Sequence, residues 1–366
     1  MITLASLLNR TNDFSKQVVR DIIVTITVLL FFSITIIFII KIFSQVEFAQ
    51  LISEFVRPIT IAFGGEKDTS YLLSIFLNTV PLILSAFAFS IPFKAGFFNI
   101  GSDGIMIISS LCYLLTFKFC GLIGGNSVVL ILLPILMSIF AGALWGIIPY
   151  FFKRFASTNE VITGLFFNNI ALISAGYILS LSGTFDKAVS GTQSISFYDK
   201  IAPLFLVSEV NGRLVSIFIP LSLFFVFLAG TWLWFSKGGL HARAVGVNSK
   251  AADVLGLSPN CVVLKVVLLG SFCASLCAIN ETLAYSRFSV DAINGMGFDG
   301  IMVAILGGHR ISGIVIASVF WSMWRVYGAG LQNLQLPYET LLCAQALFLI
   351  GYLVWQRFNK AETQFL

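Results

Sequence analysis

The side chains that could do chemistry in this chain are carboxylates and amides that lie inside strongly apolar segments. Two carboxylates, Asp103 and Asp299, occur in a near-repeat, SDGIM around the first and FDGIM around the second. Lipid offers no hydrogen bonds, so a polar side chain inside an apolar span must face a neighbouring helix or a water-filled path. The other polar side chains at such positions are Asn78, Asn168, Asn169, Asn280 and Glu281. This set predicts either a polar route through a membrane or hydrogen bonds that hold helices together.

The two carboxylates each stand at the start of an apolar run. A carboxylate at a helix N-terminus can accept hydrogen bonds from free amide groups and is favoured by the helix dipole. We therefore predict that Asp103 and Asp299 cap their own helices, with direct contact to a solute as the alternative. Small residues beside them would allow a sharp turn, close helix packing or a pivot. The predicted helix-entrance set is Asn99, Gly101, Asp103, Gly104, Gly297, Asp299 and Gly300.

Several kinds of chemistry are disfavoured by what the sequence lacks. A phosphate-binding loop of the form G-x-x-x-x-G-K-[ST] does not occur, so we do not expect this chain to hydrolyse ATP. Its two histidines, His241 and His309, are both predicted to lie on the cytoplasmic side rather than within a span. We therefore predict no catalytic residue, no metal site and no bound cofactor, and we do not expect an enzyme.

Composition places these residues in a polytopic, all-α membrane protein. Of the 366 residues, 58% are hydrophobic and 11% are charged, whereas charged residues make up about a quarter of an ordinary soluble domain. Because a helical span needs about 20 apolar residues, we expect about ten transmembrane helices. The predicted spans are Ile22–Ile40, Tyr71–Phe93, Gly96–Phe117, Val128–Phe152, Val161–Leu181, Val215–Phe235, Val262–Tyr285, a short Gly300–Gly307, Ile311–Gly328 and Leu341–Trp355. Glu281 falls near the outer end of its span, where we expect it to contact water.

Basic residues in the short loops predict the orientation, because positive charges are retained on the cytoplasmic side. With ten alternating spans most of these lysines and arginines fall on one side, and loops of mixed sign fall on the other. Both termini are therefore predicted to be cytoplasmic. The expected organisation is an N-terminal segment over 1–21, one transmembrane domain over 22–356 and a cytoplasmic tail over 357–366. Within the domain, loop 182–213 is predicted to be extracytoplasmic and loop 237–260 cytoplasmic.

The near-repeat at Asp103 and Asp299 also predicts internal symmetry. Asp103 begins the third predicted span and Asp299 the eighth, so an odd number of spans separates the two copies. The copies would then enter the membrane from opposite faces, which is typical of inverted-topology repeats in alternating-access transporters. We therefore predict two inverted repeats, with Asp103 at the cytoplasmic mouth and Asp299 at the opposite one. A chance match between glycine-rich helix starts is the alternative.

The predicted cytoplasmic loop 237–260, KGGLHARAVGVNSKAADVLGLSPN, is polar and patterned as a short helix. Asn248 or Ser249 can cap this helix, and Gly256 can end it. The residues that would form one small apolar face at i+3 and i+4 spacing are Ala251, Ala252 and Leu255. Such a helix suits docking into a groove on a soluble partner, the alternative being an ordinary surface helix.

Four blocks of the sequence resemble the signatures of one family. PFKAGFFNIGSDGIM (92–106) is similar to F-R-A-G-L-F-N-I-G-x-E-G-Q, and NEVITGLFFNNIAL (159–172) is similar to N-E-V-I-x-x-x-x-L-N-x-I-A. GLHARAVGVNSKAADVLGLS (239–258) resembles G-x-x-x-R-A-x-G-x-N-x-x-A-A-x-x-x-G-I, and FDGIMVAILGGHRISGIVIAS (298–318) resembles G-x-x-G-I-A-V-A-L-L-G. These are signatures of bacterial ABC-transporter permeases of the nucleoside and simple-sugar (branched-chain amino acid/ribose-type) importer family.

The resemblance implies a membrane subunit of an ATP-binding-cassette importer in a bacterial plasma (inner) membrane. Its implied partners are a second permease subunit or a second copy of this chain, an ATPase subunit that binds the ATP, and an extracytoplasmic substrate-binding protein or lipoprotein. The loop 237–260 then corresponds to the segment that receives the motion of the ATPase. The residues of that segment are Arg243, Ala244, Gly246, Asn248, Ala251, Ala252 and Gly256.

The chain departs from these signatures at two places. Asp103 stands where the family usually has Glu, and Ile105 stands where it usually has Gln, so a polar lining is not implied at that helix entrance. The proline usual near the position of His309 is also missing.

We expect this chain to form half of the path for a nucleoside-like solute. Related permeases move riboflavin or simple sugars, so these solutes are alternatives. An ion-coupled secondary transporter is a further alternative, since inverted repeats would suit it equally well. That reading would need an acidic residue near the membrane midplane, whereas Asp103 and Asp299 are predicted at span entrances.

Overall fold

The structure is a computed structural model, and it describes most of the middle of the chain. The described residues are 69–122, 127–181, 185–186, 191–192, 206–210, 213–216, 218–285, 288, 293 and 295–333, with isolated positions at 34, 38, 41, 50, 52–53, 343, 345–347 and 350–351. Two predicted spans, Ile22–Ile40 and Leu341–Trp355, lie outside the described residues except at those isolated positions, and so do most of the predicted terminal segments.

Helices dominate the described part of the chain. Their bounds are α1 Thr69–Phe93, α2 Ser102–Leu122, α3 Ser127–Ala156, α4 Glu160–Leu181, α5 Phe218–Phe235, α6 Lys237–Val247, α7 Ser249–Val254, α8 Pro259–Tyr285, α9 Met296–Leu306 and α10 Ile311–Asn333. Six helices among the described residues, α1 to α5 and α8, are long and apolar enough to cross a membrane. Two others, α9 and α10, contain shorter apolar stretches. A predominantly helical, multi-pass membrane protein is therefore confirmed.

Two of the predicted spans begin later in the structure than the hydropathy suggests. α2 begins at Ser102 rather than Gly96, because the residues before it form an irregular turn. α5 begins at Phe218 rather than Val215, because Arg213–Ser216 is a β-strand. Hydropathy reports how apolar a stretch is and not where its backbone becomes helical.

The predicted extracytoplasmic loop carries small antiparallel sheets. β1 (Phe185–Asp186) pairs with β2 (Gly191–Thr192), and β3 (Leu206–Val210) pairs with β4 (Arg213–Ser216). The sequence between β3 and β4 is Asn-Gly, a pair typical of two-residue hairpin connections.

The chain divides into two compact units, of which the second holds nearly all the predicted site residues. The first comprises Met1–Asn78 and Leu306–Leu366, and the second is Thr79–Ile305. In the first unit, the Ser322 hydroxyl of α10 donates to the backbone carbonyl of Ile75 in α1 at 2.5 Å. Of the predicted polar residues, Asn78 alone falls in that unit.

The core of the second unit depends on small residues where α3 crosses α2 and α8. A Cβ on Gly142 would overlap the hydroxyls of Ser109 and Ser275, and a Cβ on Gly146 would overlap the hydroxyl of Ser271. The hydroxyls of Ser109 and Ser275 are themselves 2.9 Å apart and fully buried. Because these two positions of α3 carry no side chain, the serines of α2 and α8 can pack against the α3 backbone. Their hydroxyls then form hydrogen bonds within the bundle.

Gly142→Ala should lower the thermal stability of the chain. The added methyl group must displace a buried serine, and overpacking of this kind costs about 1–3 kcal/mol. We expect the apparent Tm of the detergent-purified chain to fall by about 3 °C or more, measured by the loss of monodisperse protein on heating. Gly176→Ala is the matched control, because nothing lies within 4 Å of a Cβ at that helical glycine. A drop of equal size in both variants would contradict the packing described.

Candidate functional site

The segment Lys94–Gly101, which we call the fold-back segment, turns back along α1 after that helix ends at Phe93. Its Asn99 amide donates to the backbone carbonyl of Ala88 at 3.2 Å. Ala88 lies five residues before the end of α1, which is about 7.5 Å along the helix axis. The buried Phe97 packs against side chains of α3 and α8, namely Tyr150 and Val267. α2 therefore begins inside the helix bundle and not at the level where α1 ends.

The N-terminus of α2 is held by an amide side chain from α4. Asn168 Oδ1 accepts from the backbone N–H of Gly104 at 2.8 Å, and Asn168 Nδ2 donates to the carbonyl of Ile100 at 3.0 Å. The two backbones approach closely at a pair of glycines, since a Cβ on Gly164 would lie 2.9 Å from the amide nitrogen of Gly101. Asn168 thus serves both a free N–H and a free C=O at this helix start.

Asp103 caps a helix other than its own. Its Oδ1 accepts from the backbone N–H of Gly297 at 2.6 Å, in the first turn of α9. Asp103 is only 2% exposed, and its Oδ2 has no hydrogen-bond partner among the described residues. A Cβ on Gly297 would lie 2.8 Å from Oδ1, so glycine is what allows the carboxylate this close.

The two copies of the near-repeat therefore meet, and the prediction that they mark opposite mouths is wrong. Asp103 contacts the first turn of the helix that carries Asp299, and it is buried rather than at a mouth. The prediction that Asp103 caps α2 is also wrong, because Asn168 takes that place. Asp299 does lie in the first turn of α9, half-buried. The physical reason is the fold-back segment, which carries the start of α2 into the bundle.

A second contact fixes the start of α9 deep beside α1. The Ser85 hydroxyl donates to the carbonyl of Met296 at 2.8 Å, and a Cβ on Gly300 would overlap the Ser85 side chain. Ser85 lies eight residues before the end of α1, or about 12 Å along its axis. Asp103 and Ser85 together hold the first turn of α9, Asp103 at the N–H of Gly297 and Ser85 at the carbonyl of Met296.

The second sequence block braces the fold-back segment from the side of α3. Asn159 caps α4 by accepting from a backbone N–H in its first turn at 2.9 Å. The next residue, Glu160, pairs with Lys153 at 2.7 Å. The same Lys153 ammonium reaches the carbonyl of Gly96 at 3.4 Å and lies 5.3 Å from the ring centroid of Phe97. One lysine thus ties the start of α4 to the fold-back segment.

The loop predicted to be cytoplasmic forms a hairpin of two short helices, α6 and α7. Ser236 caps α6 by accepting from the N–H of Gly239 at 3.0 Å. Asn248 caps α7 by accepting from the N–H of Ala251 at 3.0 Å. Gly256 follows α7 with a φ of +83°, a conformation that favours glycine at a helix end. The predicted helix, its Asn248 cap and its glycine end are confirmed.

The exposed face of this hairpin differs from the predicted one. Ala252 is buried at 3% exposure, so it does not belong to an outward face with Ala251 and Leu255. The most exposed large apolar side chains of the hairpin are Val247, Val254 and Leu255, at 88%, 89% and 79%, whereas Leu240 of α6 is 57% exposed. We call the first three residues the apolar tip. The spacing correctly predicted a helix. It could not show which face of that helix is buried against the rest of the protein.

The C-terminal end of α6 packs directly on the fold-back segment. A Cβ on Gly246 would overlap the carbonyl oxygen of Lys94 and would lie 3.2 Å from Ala95 Cα. Arg243 donates to the carbonyl of Trp234 at 3.2 Å, and its guanidinium lies 5.1 Å from the centroid of that ring. Lys94 approaches the same ring at 5.5 Å. Burial first, and the neighbouring Arg243 charge second, lower the pKa of Lys94.

The remaining predicted polar residues are spread through the bundle. Asn280 of α8 donates to the Ser222 hydroxyl of α5 at 2.9 Å, which links two helices. Glu281 is 3% exposed, so the expectation that it contacts water is wrong. Asn78 donates to its own helix one turn back. Asn169 is exposed, unlike Asn168 beside it. A role of these residues in a translocation path stays a prediction.

Sequence reasoning missed the residues that hold the fold-back segment and α9 in place. Ser85 looks like any serine in an apolar helix, and nothing in its spacing points to α9. Gly164 and Lys153 contact residues more than fifty positions away, which no local pattern reports. One signal was available: Gly142 and Gly146 form a G-x-x-x-G pair, which is typical of close helix packing in membranes.

Comparison with known proteins decides the family. Residues 71–351 match the family model of the permease component of branched-chain amino acid transport systems. The chain belongs to this family. A guanosine ABC transporter permease protein of Bacillus subtilis is 30% identical to it over 246 residues, covering 65% of this chain and 68% of the relative.

Two further relatives of the permease cover more of its length. A glucose ABC transporter permease protein of Haloferax volcanii is 28% identical over 315 residues, covering 84% of this chain and 80% of the relative. A nucleoside ABC transporter permease protein of Lactococcus lactis is 28% identical over 288 residues, covering 74% and 76%. The resemblance to nucleoside and sugar ABC permeases is confirmed. The permease is accordingly a membrane subunit of an ABC transporter and not itself an enzyme.

Asn168→Ala should destabilise the permease more than Asn169→Ala. The first change removes two hydrogen bonds at the start of α2 and leaves a buried N–H and C=O unpaired, at about 1–3 kcal/mol for each group. Within the described residues, Asn169 bonds to its own helix alone. We expect a lower apparent Tm for Asn168→Ala by several degrees and little change for its neighbour. Equal melting of the two variants would argue against Asn168 as the clamp on α2.

Proposed function

We propose that this permease forms half of the translocation path of an ATP-binding-cassette importer for a nucleoside-like solute. Separate ATPase subunits bind the ATP and dock on the α6–α7 hairpin. A second permease subunit, or a second copy of this chain, completes the path. An extracytoplasmic binding protein or lipoprotein delivers the solute.

The apolar tip is the observation that carries this proposal. Val247, Val254 and Leu255 stand almost fully exposed on a hairpin that lies outside the six membrane-spanning helices. Large aliphatic side chains exposed together on a polar segment mark an interaction surface. The hairpin is held rigidly by two capped helices, so it presents the apolar tip in a fixed position. A soluble ATPase subunit with a matching groove is the partner that family membership favours.

The distribution of basic residues supports a cytoplasmic location for the hairpin. Lys94 and Arg243 lie on the same indole ring, and Lys153 contacts the fold-back segment beside them. Positive charges at the ends of spans are retained in the cytoplasm. With the hairpin on that side of the plasma membrane, loop 182–213 is extracytoplasmic and both termini are cytoplasmic.

Two inverted repeats within about ten spans remain part of the proposal. Each copy of the near-repeat begins a helix and carries its aspartate in the first turn. In inverted-repeat transporters, the ends of discontinuous helices lie near the membrane midplane, at the interface between the repeats. The contact between Asp103 and Gly297 fits that geometry better than two distant mouths would.

Asn169 is the residue that we assign to the path or to the second permease. It lies within a membrane-spanning helix, is exposed, and is surrounded on that face by apolar side chains such as Phe166 and Ile173, which are 66% and 72% exposed. Its Nδ2 bonds to the carbonyl one turn back, while its Oδ1 accepts no hydrogen bond from the residues that the structure describes. An amide oxygen facing lipid has no donor, so a protein or water neighbour is expected at this position.

A nucleoside is the favoured solute because two of the relatives named above are guanosine and nucleoside permeases. A simple sugar is the second candidate, because another of the relatives is a glucose permease. Riboflavin and an ion-coupled mechanism are further alternatives from the sequence, and the experiments below separate them.

Replacing the apolar tip should release the ATPase. In a tagged permease purified from its own membranes, Val254→Ser together with Leu255→Ser removes two aliphatic contacts worth about 1.5–3 kcal/mol each when buried. We expect the ATPase activity that copurifies with the chain to fall at least about tenfold. Lys250→Ser is the matched control, because it changes an exposed side chain of the same helix outside the apolar tip.

Two results would refute the docking proposal. One is undiminished copurified ATPase activity in the double serine variant. The other is solute accumulation by the chain reconstituted alone with an ion gradient and no ATP, which would favour the secondary transporter.

Solute selectivity is tested on the assembled importer in proteoliposomes with its binding protein. We expect ATP-dependent accumulation of labelled guanosine that excess unlabelled nucleoside suppresses and excess glucose or riboflavin does not. Suppression by glucose, with glucose accumulating in place of guanosine, would make the chain a sugar permease.

A further inference from the structure

We propose that the fold-back segment is a strut through which the α6–α7 hairpin moves the start of α9. Gly246 and Asp103 are the positioning residues at its two ends. This inference rests on the proposed function, because it assigns the route by which the motion of a docked ATPase reaches the membrane interior.

At the first end of the strut, the backbone of α6 touches the backbone of the fold-back segment, and no side chain lies between them. Gly246 touches the carbonyl of Lys94 and the Cα of Ala95 so closely that a Cβ would overlap. On the other side of the same contact, Gly96 adopts a φ of +79°, and a Cβ there would lie 3.7 Å from Gly246 Cα. Close-packed contacts pass on displacements rather than absorbing them. A shift of the hairpin therefore presses on the fold-back segment at once.

The middle of the strut is stiffened from two sides. Phe97 and Asn99 are buried at 1% and 3% exposure, and Asn99 is bonded to α1. Lys153 holds the carbonyl of Gly96 and is itself fixed by Glu160. Backbone bonds such as that from the N–H of Phe97 to the carbonyl of Pro92, at 3.1 Å, form the turn after α1. The contacts from neighbouring helices add to the rigidity of the segment.

The second end of the strut is the cap on α9. Asp103 follows the fold-back segment by two residues, and its carboxylate holds the N–H of Gly297. α9 is only 11 residues long, and among the described residues its first turn is fixed by Asp103 and Ser85. A helix this short gains little from its own propagation and takes its position from such contacts. Movement of Asp103 therefore moves the start of α9.

The route can be tested by uncoupling transport from ATP hydrolysis without disturbing the apolar tip. The measured quantity is the ratio of guanosine accumulated to ATP hydrolysed by the assembled importer with its binding protein in proteoliposomes. Gly246→Ala places a methyl group in the contact between α6 and Lys94, and Asp103→Ala removes the hydrogen bond to Gly297. We expect each to lower the ratio at least about fivefold, with ATP hydrolysis largely retained.

A double variant and two controls separate transmission from damage. If one strut carries the motion, Gly246→Ala combined with Asp103→Ala should be no worse than the more severe single variant. Asp103→Asn keeps Oδ1 as an acceptor for Gly297 and should retain the ratio. Gly142→Ala is equally crowded but lies off the route, so it should lower the Tm and leave the ratio unchanged. If the Gly246→Ala importer does not assemble, Lys153→Gln is tested in its place. That change removes a contact to the same segment, and its partly exposed side chain makes misfolding less of a risk.

The outcomes distinguish this inference from the proposed function. A wild-type assembly that accumulates guanosine without need of ATP overturns the proposed function. A wild-type assembly that couples normally, with the ratio unchanged in the strut variants, overturns only the strut. Effects that multiply in the double variant, or loss of the ratio in Asp103→Asn equal to that in Asp103→Ala, also overturn it.

Discussion

The hydrogen bond from the Gly297 amide to the Asp103 carboxylate is the constraint around which the described part of the permease is arranged. It joins the starts of two helices that are nearly two hundred residues apart in the sequence and are copies of one short pattern. A helix start inside an apolar bundle leaves amides that lipid cannot satisfy. Each of these two starts is therefore capped by a residue from elsewhere, α2 by Asn168 and α9 by Asp103. Neither helix could begin where it does without a contact from a distant segment of the chain.

The four sequence blocks that carry the family resemblance converge on the fold-back segment. The first block contains it, and the second clamps it through Asn168 and holds its brace, Lys153, through Glu160. The third packs Gly246 on it, and the fourth begins beside Asp103. Several glycines in these blocks, such as Gly164 and Gly246, serve contacts in which another residue's backbone occupies the place of a side chain. Residues that first suggested a binding site for a solute are thus explained by the contacts that hold the fold-back segment between α6 and the start of α9.

Much of the fold could be predicted from sequence, because apolar length and loop charge are local properties. Six spans and the capped helix of α7 follow from hydropathy, from Asn248 and from Gly256. The site was predicted less well, since its geometry depends on contacts between distant segments. Asp103 was expected to cap its own helix at a mouth, but a turn of eight residues places it inside and aims it at α9. Ala252 was expected on an outward face, and only the packing of the hairpin could show that it is covered.

The account depends most on Asp103 holding the start of α9, and amide exchange at Gly297 measures that contact directly. In the purified full-length permease we expect the Gly297 amide to exchange slowly, and Asp103→Ala to accelerate it at least about tenfold, since loss of the acceptor leaves a buried N–H unpaired, at about 1–3 kcal/mol. Asp103→Asn, which keeps the acceptor oxygen, should retain most of the protection. Equal exchange at Gly297 in the wild type and in Asp103→Ala would contradict the cross-cap.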